Sequence, residues 1–167
     1  MRDTIARLCR ASGWDQADGF AVISEAVWRV TIVDAALMRY RPEIYHQILA
    51  RQRPAQRQMT EETFAGLRFV RNRMGYHRRP ADFIEPAGTG PGVAAWTWKP
   101  VPEPALAALT PRGRDWEMTR YQAYQAQLAH HAIGETFTQA TAFLSIAATT
   151  SSATPEPPRI LPSAGRH

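Results

Sequence analysis

The sequence predicts an all-α protein, a bundle of four to six helices with one long loop that is rich in proline and glycine. Three observations predict it: apolar residues recur at helical spacing over most of the chain, prolines and glycines gather at about 80–111, and the last residues are rich in Ser, Thr and Pro. A chain of 167 residues that is 44% hydrophobic and 21% charged has the size and composition of one globular domain. We therefore expect a single helical domain over residues 1–149 and a disordered tail over residues 150–167.

The first third of the chain predicts three helices. Residues 1–12 have a short amphipathic pattern, and a turn follows it. Residues 19–40 repeat their apolar side chains every three or four positions. Their many β-branched residues would also suit a strand, but the length and period of the run favour a helix. A short helix is expected at about 43–53, because Pro42 stands where a helix tolerates proline and Pro54 closes it.

A long helix is expected next, at about 57–78, with Thr60 as a candidate N-cap and Pro80 beyond its end. At about 100° per residue, its apolar stripe comprises Thr63, Leu67, Val70 and Met74. Phe69 and Tyr76 lie on the opposite face. We therefore expect this helix to be covered on two sides, by its own core and by either a neighbouring helix or a second subunit.

The stretch from Pro80 to Pro111 contains seven prolines, which exclude a continuous helix. Within it, the segment 96–98 (Trp-Thr-Trp) predicts a short extended piece with both indoles on one side. We expect these tryptophans to pin the long loop to the helical body. A helical pattern returns at about 112–148, and Gly134 is a candidate position for a kink or a division of that helix.

Two charged residues fall on faces that are otherwise apolar. Arg71 lies within the stripe of the helix at 57–78, and Asp34 lies on the same face as Val30 and Leu37. A charge that is removed from water has to be paired. Arg71 is therefore either functional or paired with a buried carboxylate, for which Asp34 is the obvious candidate.

The charge balance suits a polyanionic partner, since the formal net charge is +5 and the sequence pI is about 10.0. Only Lys99 among the 20 Lys and Arg residues is a lysine, which leaves 20 − 1 = 19 arginines, and guanidinium groups suit phosphate recognition. Cys9 is the only cysteine, so an internal disulfide and a cysteine zinc site are excluded. The residues indicate no cofactor and no metal.

The sequence gives no indication of a membrane protein. The longest apolar run, at 27–38, is interrupted by charged residues and is too short to span a bilayer. The N-terminus lacks the basic-then-apolar layout of a signal peptide. We expect a cytoplasmic protein without a membrane partner.

Arg71, Asn72 and His77 form a motif that resembles the signature of the HEPN superfamily, whose members are small helical bundles and often ribonucleases. That signature is an arginine, a polar residue, and a histidine after four to six intervening positions. Other arginines reach His46 at permitted spacings, but only Arg71 is followed by the preferred polar residue, and Asn72 is the only asparagine of the chain. The resemblance covers the motif and, loosely, residues 20–148. The chain as a whole is also similar to small actinobacterial proteins, which implies no mechanism.

The resemblance implies a metal-independent endoribonuclease of the toxin or phage-defence type. His77 would then do the acid–base work, because the pKa of imidazole lies near neutrality. Arg71 would clamp the scissile phosphate, and Asn72 would orient the phosphate or the histidine. Such proteins usually form their site across a homodimer and often pair with a neutralising, antitoxin-type protein. On an unbroken helix Arg71 and His77 point about 120° apart, so they converge only if the helix ends near Gly75 or if two subunits share the site.

A second class of function stays open, namely a non-catalytic helical module that binds a protein or a nucleic acid. In that interpretation Arg71 pairs with Asp34, and His77 interacts favourably with the helix C-terminus. The basic cluster around the motif is either a nucleic-acid-binding surface or a solvated face. It consists of Arg68, Arg73, Arg78 and Arg79. Three tryptophans either stack on bases or anchor the loop to the core: Trp96, Trp98 and Trp116.

Overall fold

The computed structural model describes residues 16–76, 79–87, 96–104, 106 and 109–152, and these residues confirm the all-α fold class. Their five α-helices are α1 (Gln16–Tyr40), α2 (Pro42–Arg51), α3 (Pro54–Tyr76), α4 (Pro111–Gln127) and α5 (Ile133–Ser152). Between α3 and α4 lie a 3₁₀ turn (Pro80–Asp82) and two short strands, β1 (Ile84–Pro86) and β2 (Trp96–Trp98), which pair antiparallel. The helix predicted at 1–12 lies outside the described residues. None of the described helices has the length and apolarity that crossing a bilayer requires.

The structure corrects the start of the helix predicted at about 57–78. Pro54 does not only close α2 but also begins α3, because a proline at the first helical position loses no helical hydrogen bond. Thr60, the expected N-cap, is instead buried within α3, where its hydroxyl donates to the carbonyl oxygen of Gln56 at 2.9 Å. The chain between α2 and α3 therefore turns within two residues, Gln52 and Arg53.

The core lies where α1, α3 and α5 face one another. The predicted stripes of α1 and α3 are its centre, and their innermost residues are fully buried: Ile23, Val27, Val30, Leu67 and Val70. Helix α5 adds Phe137 and Leu144 from its own 3.6-residue repeat. The apolar periodicity read from the sequence therefore identifies the buried faces correctly.

The long loop is anchored by its tryptophans, as predicted. The indole of Trp98 is fully buried and donates from Nε1 to Oγ1 of Thr136 on α5 at 3.0 Å. The backbone of the same residue bonds to the α4–α5 turn, since the amide of His130 donates to its oxygen at 2.8 Å. Trp96 is also buried and packs so closely on Gly19 that a Cβ there would lie 2.1 Å from Cζ2 of the indole. A side chain on residue 19 would displace the loop.

The predicted helix at 112–148 is two helices. The break lies at residues 128–132, where His130 has a positive φ of 67°, whereas Gly134 lies within α5. The histidine pair at 130–131 therefore belongs to a turn. Helix α5 continues to Ser152, beyond the predicted start of the tail at 150, and residues 153–167 lie outside the described part of the chain.

The second face of α3 is covered by the same chain. Phe69 is buried, and its ring centroid lies 5.5 Å from that of Tyr124 on α4 and 6.2 Å from that of Phe83 in the loop. The two helices approach closely at Gly66, where a Cβ would lie 3.1 Å from Cα of Tyr124. A neighbouring helix therefore covers Phe69, and this side chain gives no reason to expect a second subunit on that face.

Candidate functional site

A groove with a volume of about 780 Å³ runs along the surface between α1, α3 and α4. We call it the arginine groove. Its ten lining residues are Thr31, Ala35, Met38, Arg39, Ala65, Arg68, Arg71, Trp116, Thr119 and Arg120. Four of them are arginines and none is acidic, so the walls of the groove carry positive charge.

A buried ion pair forms the floor beneath this groove. Asp34 is fully buried, its Oδ2 accepts from Arg68 Nε at 2.7 Å, and Nη2 of the same guanidinium lies 2.5 Å from this oxygen in the ion pair. Its other oxygen, Oδ1, accepts from the hydroxyl of Tyr45 at 2.8 Å. Burial first, and the Asp34 charge second, raise the pKa of Tyr45, so this hydroxyl keeps its proton and remains a donor. Both carboxylate oxygens of Asp34 are thereby satisfied.

The partner of Asp34 is therefore Arg68, where the sequence had indicated Arg71. The contacts explain why Arg68 takes the place of Arg71. Helices α1 and α3 run in opposite directions, so a residue further along α3 contacts a residue earlier on α1. Arg68 reaches Asp34, whereas Arg71, one turn further along α3, reaches back to Trp28 on α1. The predicted Arg71–Asp34 pair is therefore wrong, because the level at which the two helices touch makes Arg68 the partner of Asp34.

Arg71 is half-buried at the wall of the groove and is held by an aromatic ring rather than by a carboxylate. Its guanidinium lies 5.6 Å from the ring centroid of Trp28, and its Nη2 donates to Oδ1 of Asn72 at 3.4 Å. Of these two motif residues, which are adjacent in the chain, only Arg71 lines the groove. The third, His77, lies outside the described residues, just beyond the end of α3 at Tyr76.

The other members of the predicted basic cluster are arranged differently. Arg73 points to the Phe69 face, where its Nε donates to Oε1 of Glu117 at 2.8 Å in a mostly buried ion pair. Arg79 is exposed before the 3₁₀ turn, and its backbone amide donates to Asp82. Neither lines the groove. Arg78 lies outside the described residues.

The groove contains two residues of α4 that the sequence did not assign to the site. Arg120 was not predicted, and for Trp116 the choice between stacking on bases and anchoring the loop was left open. Arg120 lies on the groove wall, and its guanidinium is 5.1 Å from the ring centroid of Trp116. Burial, and next the nearby charge of Arg68, lower the pKa of Arg120; Arg71 acts in the same direction and Glu117 opposes them. Trp116 is 59% exposed, so it does not anchor the loop as Trp96 and Trp98 do. The available signal was the spacing of four residues between Trp116 and Arg120, which puts both on one helix face.

The described residues contain no group of three or more His, Cys, Asp or Glu side chains that could hold a metal ion. No protein-family model matches the chain, and neither a curated protein nor a solved structure does.

Proposed function

We propose that this protein binds single-stranded RNA in the arginine groove. The observation that carries the proposal is the convergence of Arg68, Arg71 and Arg120 on one open groove that no acidic side chain lines. Arg71 and Arg120 have no carboxylate partner among the described residues, whereas Arg68 is paired with Asp34. The nearby Glu117 is paired with Arg73. Phosphate groups are the ligands that guanidinium groups bind best, through two parallel hydrogen bonds.

Mutual repulsion between the arginines supports an anionic ligand. Burial lowers the pKa of Arg120 most, and the positive charges of Arg68 and Arg71 lower it further, against the opposing charge of Glu117. A phosphate between these groups would relieve this repulsion. The unliganded groove therefore favours binding of an anion over binding of a cationic or a purely apolar ligand.

The exposed indole of Trp116 favours a single strand over a duplex. It lies beside the guanidinium groups of Arg120 and Arg112, at 5.1 and 6.0 Å from its ring centroid, and more than half of it is open to solvent. Unpaired bases stack on such a ring, and stacking is worth roughly 1–3 kcal/mol per base. The bases of a duplex are already stacked on one another and cannot use it.

Binding is tested with a labelled, unstructured RNA oligonucleotide in EDTA, by fluorescence anisotropy over a range of salt concentrations. About three phosphate contacts, to Arg71, Arg120 and Arg39, predict a slope of roughly −2 for log K against log salt concentration. Arg120→Ala is expected to weaken binding by about tenfold and to reduce that slope by about 0.7. Trp116→Ala is expected to weaken binding by a similar factor without changing the slope.

The matched control is Arg57→Ala. Arg57 lies on the exposed surface of α3, away from the groove lining, and pairs with Glu61 at 3.1 Å. This variant removes the same charge and should retain the affinity of the wild type. If Arg57→Ala and Arg120→Ala lost equal affinity for RNA, the binding would be explained by non-specific attraction to the net positive charge and not by the groove. Equal affinity for a duplex of the same sequence would contradict the role of Trp116.

A second candidate function is cleavage of the bound RNA, and the position of Arg71 on the groove wall, with Asn72 accepting a hydrogen bond from it, favours it. In this proposal His77 takes the proton from the ribose 2′-hydroxyl, whose oxygen attacks phosphorus, or returns a proton to the departing 5′-oxygen. Arg71 stabilises the charge that develops on the phosphoryl oxygens. The homodimer and the neutralising partner that the HEPN resemblance implies belong to this second proposal.

Cleavage is tested by incubating the purified protein with mixed cellular RNA in EDTA, beside His77→Ala. Discrete fragments with 2′,3′-cyclic phosphate ends from the wild type, and none from the variant, are expected for an enzyme. Because anisotropy reports binding separately, the two outcomes are distinguishable. Binding without fragments from the wild type would leave the protein a non-catalytic RNA-binding module, and fragments from both proteins would exclude His77 as the acid–base group.

A further inference from the structure

Met38 on α1 and Arg68 on α3 contact each other within the arginine groove, and both of them line it. Nη2 of Arg68 donates to the thioether sulfur Sδ of Met38 at 2.9 Å. Thioether sulfur is a weak hydrogen-bond acceptor, so this contact contributes little to stability. It places an oxidisable sulfur directly beside a guanidinium of the proposed binding site.

Met38 is open to solvent, whereas the other methionines that the structure describes are partly buried. Met38 is 41% exposed. The partly buried methionines are Met59, Met74 and Met118. Oxidation of a side chain to its sulfoxide follows exposure, so a small oxidant that enters the groove meets Met38 first.

We infer that Met38 is a site of reversible oxidation, at which a hydroperoxide forms methionine sulfoxide and thereby lowers the affinity of the arginine groove for phosphate groups. With hydrogen peroxide, a lone pair of Sδ attacks one oxygen, an S–O bond forms and the O–O bond breaks. Sulfur loses two electrons, and the second oxygen departs as hydroxide. The hydroxyl on sulfur then gives its proton to this hydroxide, which leaves as water.

The added oxygen changes the hydrogen bonding of the groove. A sulfoxide oxygen carries partial negative charge and accepts from a guanidinium more strongly than thioether sulfur does. Asp34 fixes Arg68 in place through the ion pair beneath the groove, so the guanidinium cannot turn away from the sulfoxide toward a phosphate. The oxidised side chain therefore takes up a donor of Arg68 that would otherwise be available to a ligand.

The added oxygen also changes the charge of the groove. Its lining contains arginines and no acidic residue. The sulfoxide brings the negative end of a dipole to this lining, where it repels a phosphate. This consequence rests on the proposed RNA binding, whereas the oxidation of Met38 does not.

Graded oxidation of the full chain with hydrogen peroxide, followed by peptide mass spectrometry, tests the site. In the folded protein Met38 is expected to form the sulfoxide at least about fivefold faster than Met59, Met74 or Met118. The matched control is the same chain unfolded in urea, in which these methionines should react at similar rates. Equal rates in the folded protein, or earlier oxidation of a partly buried methionine, would overturn the assignment of Met38.

Fluorescence anisotropy with the labelled RNA oligonucleotide tests the effect on the groove. Protein oxidised at Met38 should bind RNA about tenfold more weakly than reduced protein, and treatment with methionine sulfoxide reductase should restore the affinity. Met38→Leu keeps a similar volume without sulfur, so it should bind like the reduced wild type before and after peroxide treatment. Circular dichroism confirms that the oxidised protein is folded.

The outcomes separate this inference from the proposed function. Undiminished RNA binding by protein oxidised at Met38, or an equal loss of affinity in Met38→Leu after peroxide treatment, would overturn the effect on the groove. Reduced protein that binds no RNA would contradict the proposed function, and with it this effect. The mass spectra need no RNA, so they decide in either case whether Met38 is the oxidised residue.

Discussion

Arg68 and Arg71 are three residues apart on α3 and carry the same side chain, but they belong to different structures. Arg68 neutralises the buried Asp34 through an ion pair with a hydrogen bond from Nε, and the hydroxyl of Tyr45 bonds to the other carboxylate oxygen. Arg71 lies over the partly exposed ring of Trp28 and faces the groove. The first is needed to bury a carboxylate, and the second leaves its charge available to a ligand. The pairing with Asp34 that the sequence assigned to Arg71 therefore belongs to Arg68.

We predict that Arg68→Ala lowers the free energy of unfolding by about 3 kcal/mol, because it leaves the carboxylate of Asp34 buried without its counter-charge. Arg71→Ala should lower it by less than about 1 kcal/mol, since it removes a cation–π contact at a partly exposed site and one long hydrogen bond to the adjacent Asn72. Urea denaturation followed by circular dichroism measures both. Similar small losses in the two variants would mean that Asp34 is not held as this geometry requires.

At the scale of elements, α3 is the helix on which the molecule is built, since it is covered on opposite faces by the core and by α4. The two helices approach closely because residue 66 is a glycine and brings no side chain between them. This approach sets Phe69 against Tyr124 and, on the adjoining side of α4, sets Arg120 near Arg68 and Arg71. The arginine groove is therefore a consequence of how α4 packs on α3. The sequence shows both helices but does not show this packing.

At the scale of the whole molecule, two buried tyrosines make the stability of the folded state depend on pH in the alkaline range. The hydroxyl of Tyr45 donates to Asp34, and that of Tyr124 donates to the carbonyl oxygen of Lys99, which ties α4 to the end of the long loop. Burial raises the pKa of both tyrosines above the ordinary value of 10.0. Above pH 10 the unfolded chain releases protons that the folded chain keeps, so the folded state is disfavoured there.

We predict that the hydroxyls of Tyr45 and Tyr124 leave the free energy of unfolding independent of pH below about pH 10. Above that pH the free energy of unfolding should fall by up to about 1.4 kcal/mol per pH unit for each tyrosine. Tyr124→Phe should reduce this slope, although it loses one hydrogen bond. Tyr40→Phe is the control, because Tyr40 is exposed in the folded chain and its substitution should leave the slope as it is. Urea midpoints at pH 8 and pH 11 measure the effect, and a midpoint that does not change in the wild type would contradict it.

The sequence by itself determined the helical fold class, the buried faces of α1 and α3, and the anchoring of the loop by Trp98. These features depend on local periodicity and on the positions of proline, which are visible in one segment at a time. It did not determine that Pro54 begins α3 or that residues 128–132 divide the last helical stretch, since a proline and a histidine each permit more than one local conformation. Only the tertiary structure decided that Asp34 pairs with Arg68, that Trp116 is exposed and that Arg120 joins the groove. Each of these depends on the level at which two helices meet, and that level is set by packing between residues far apart in the chain.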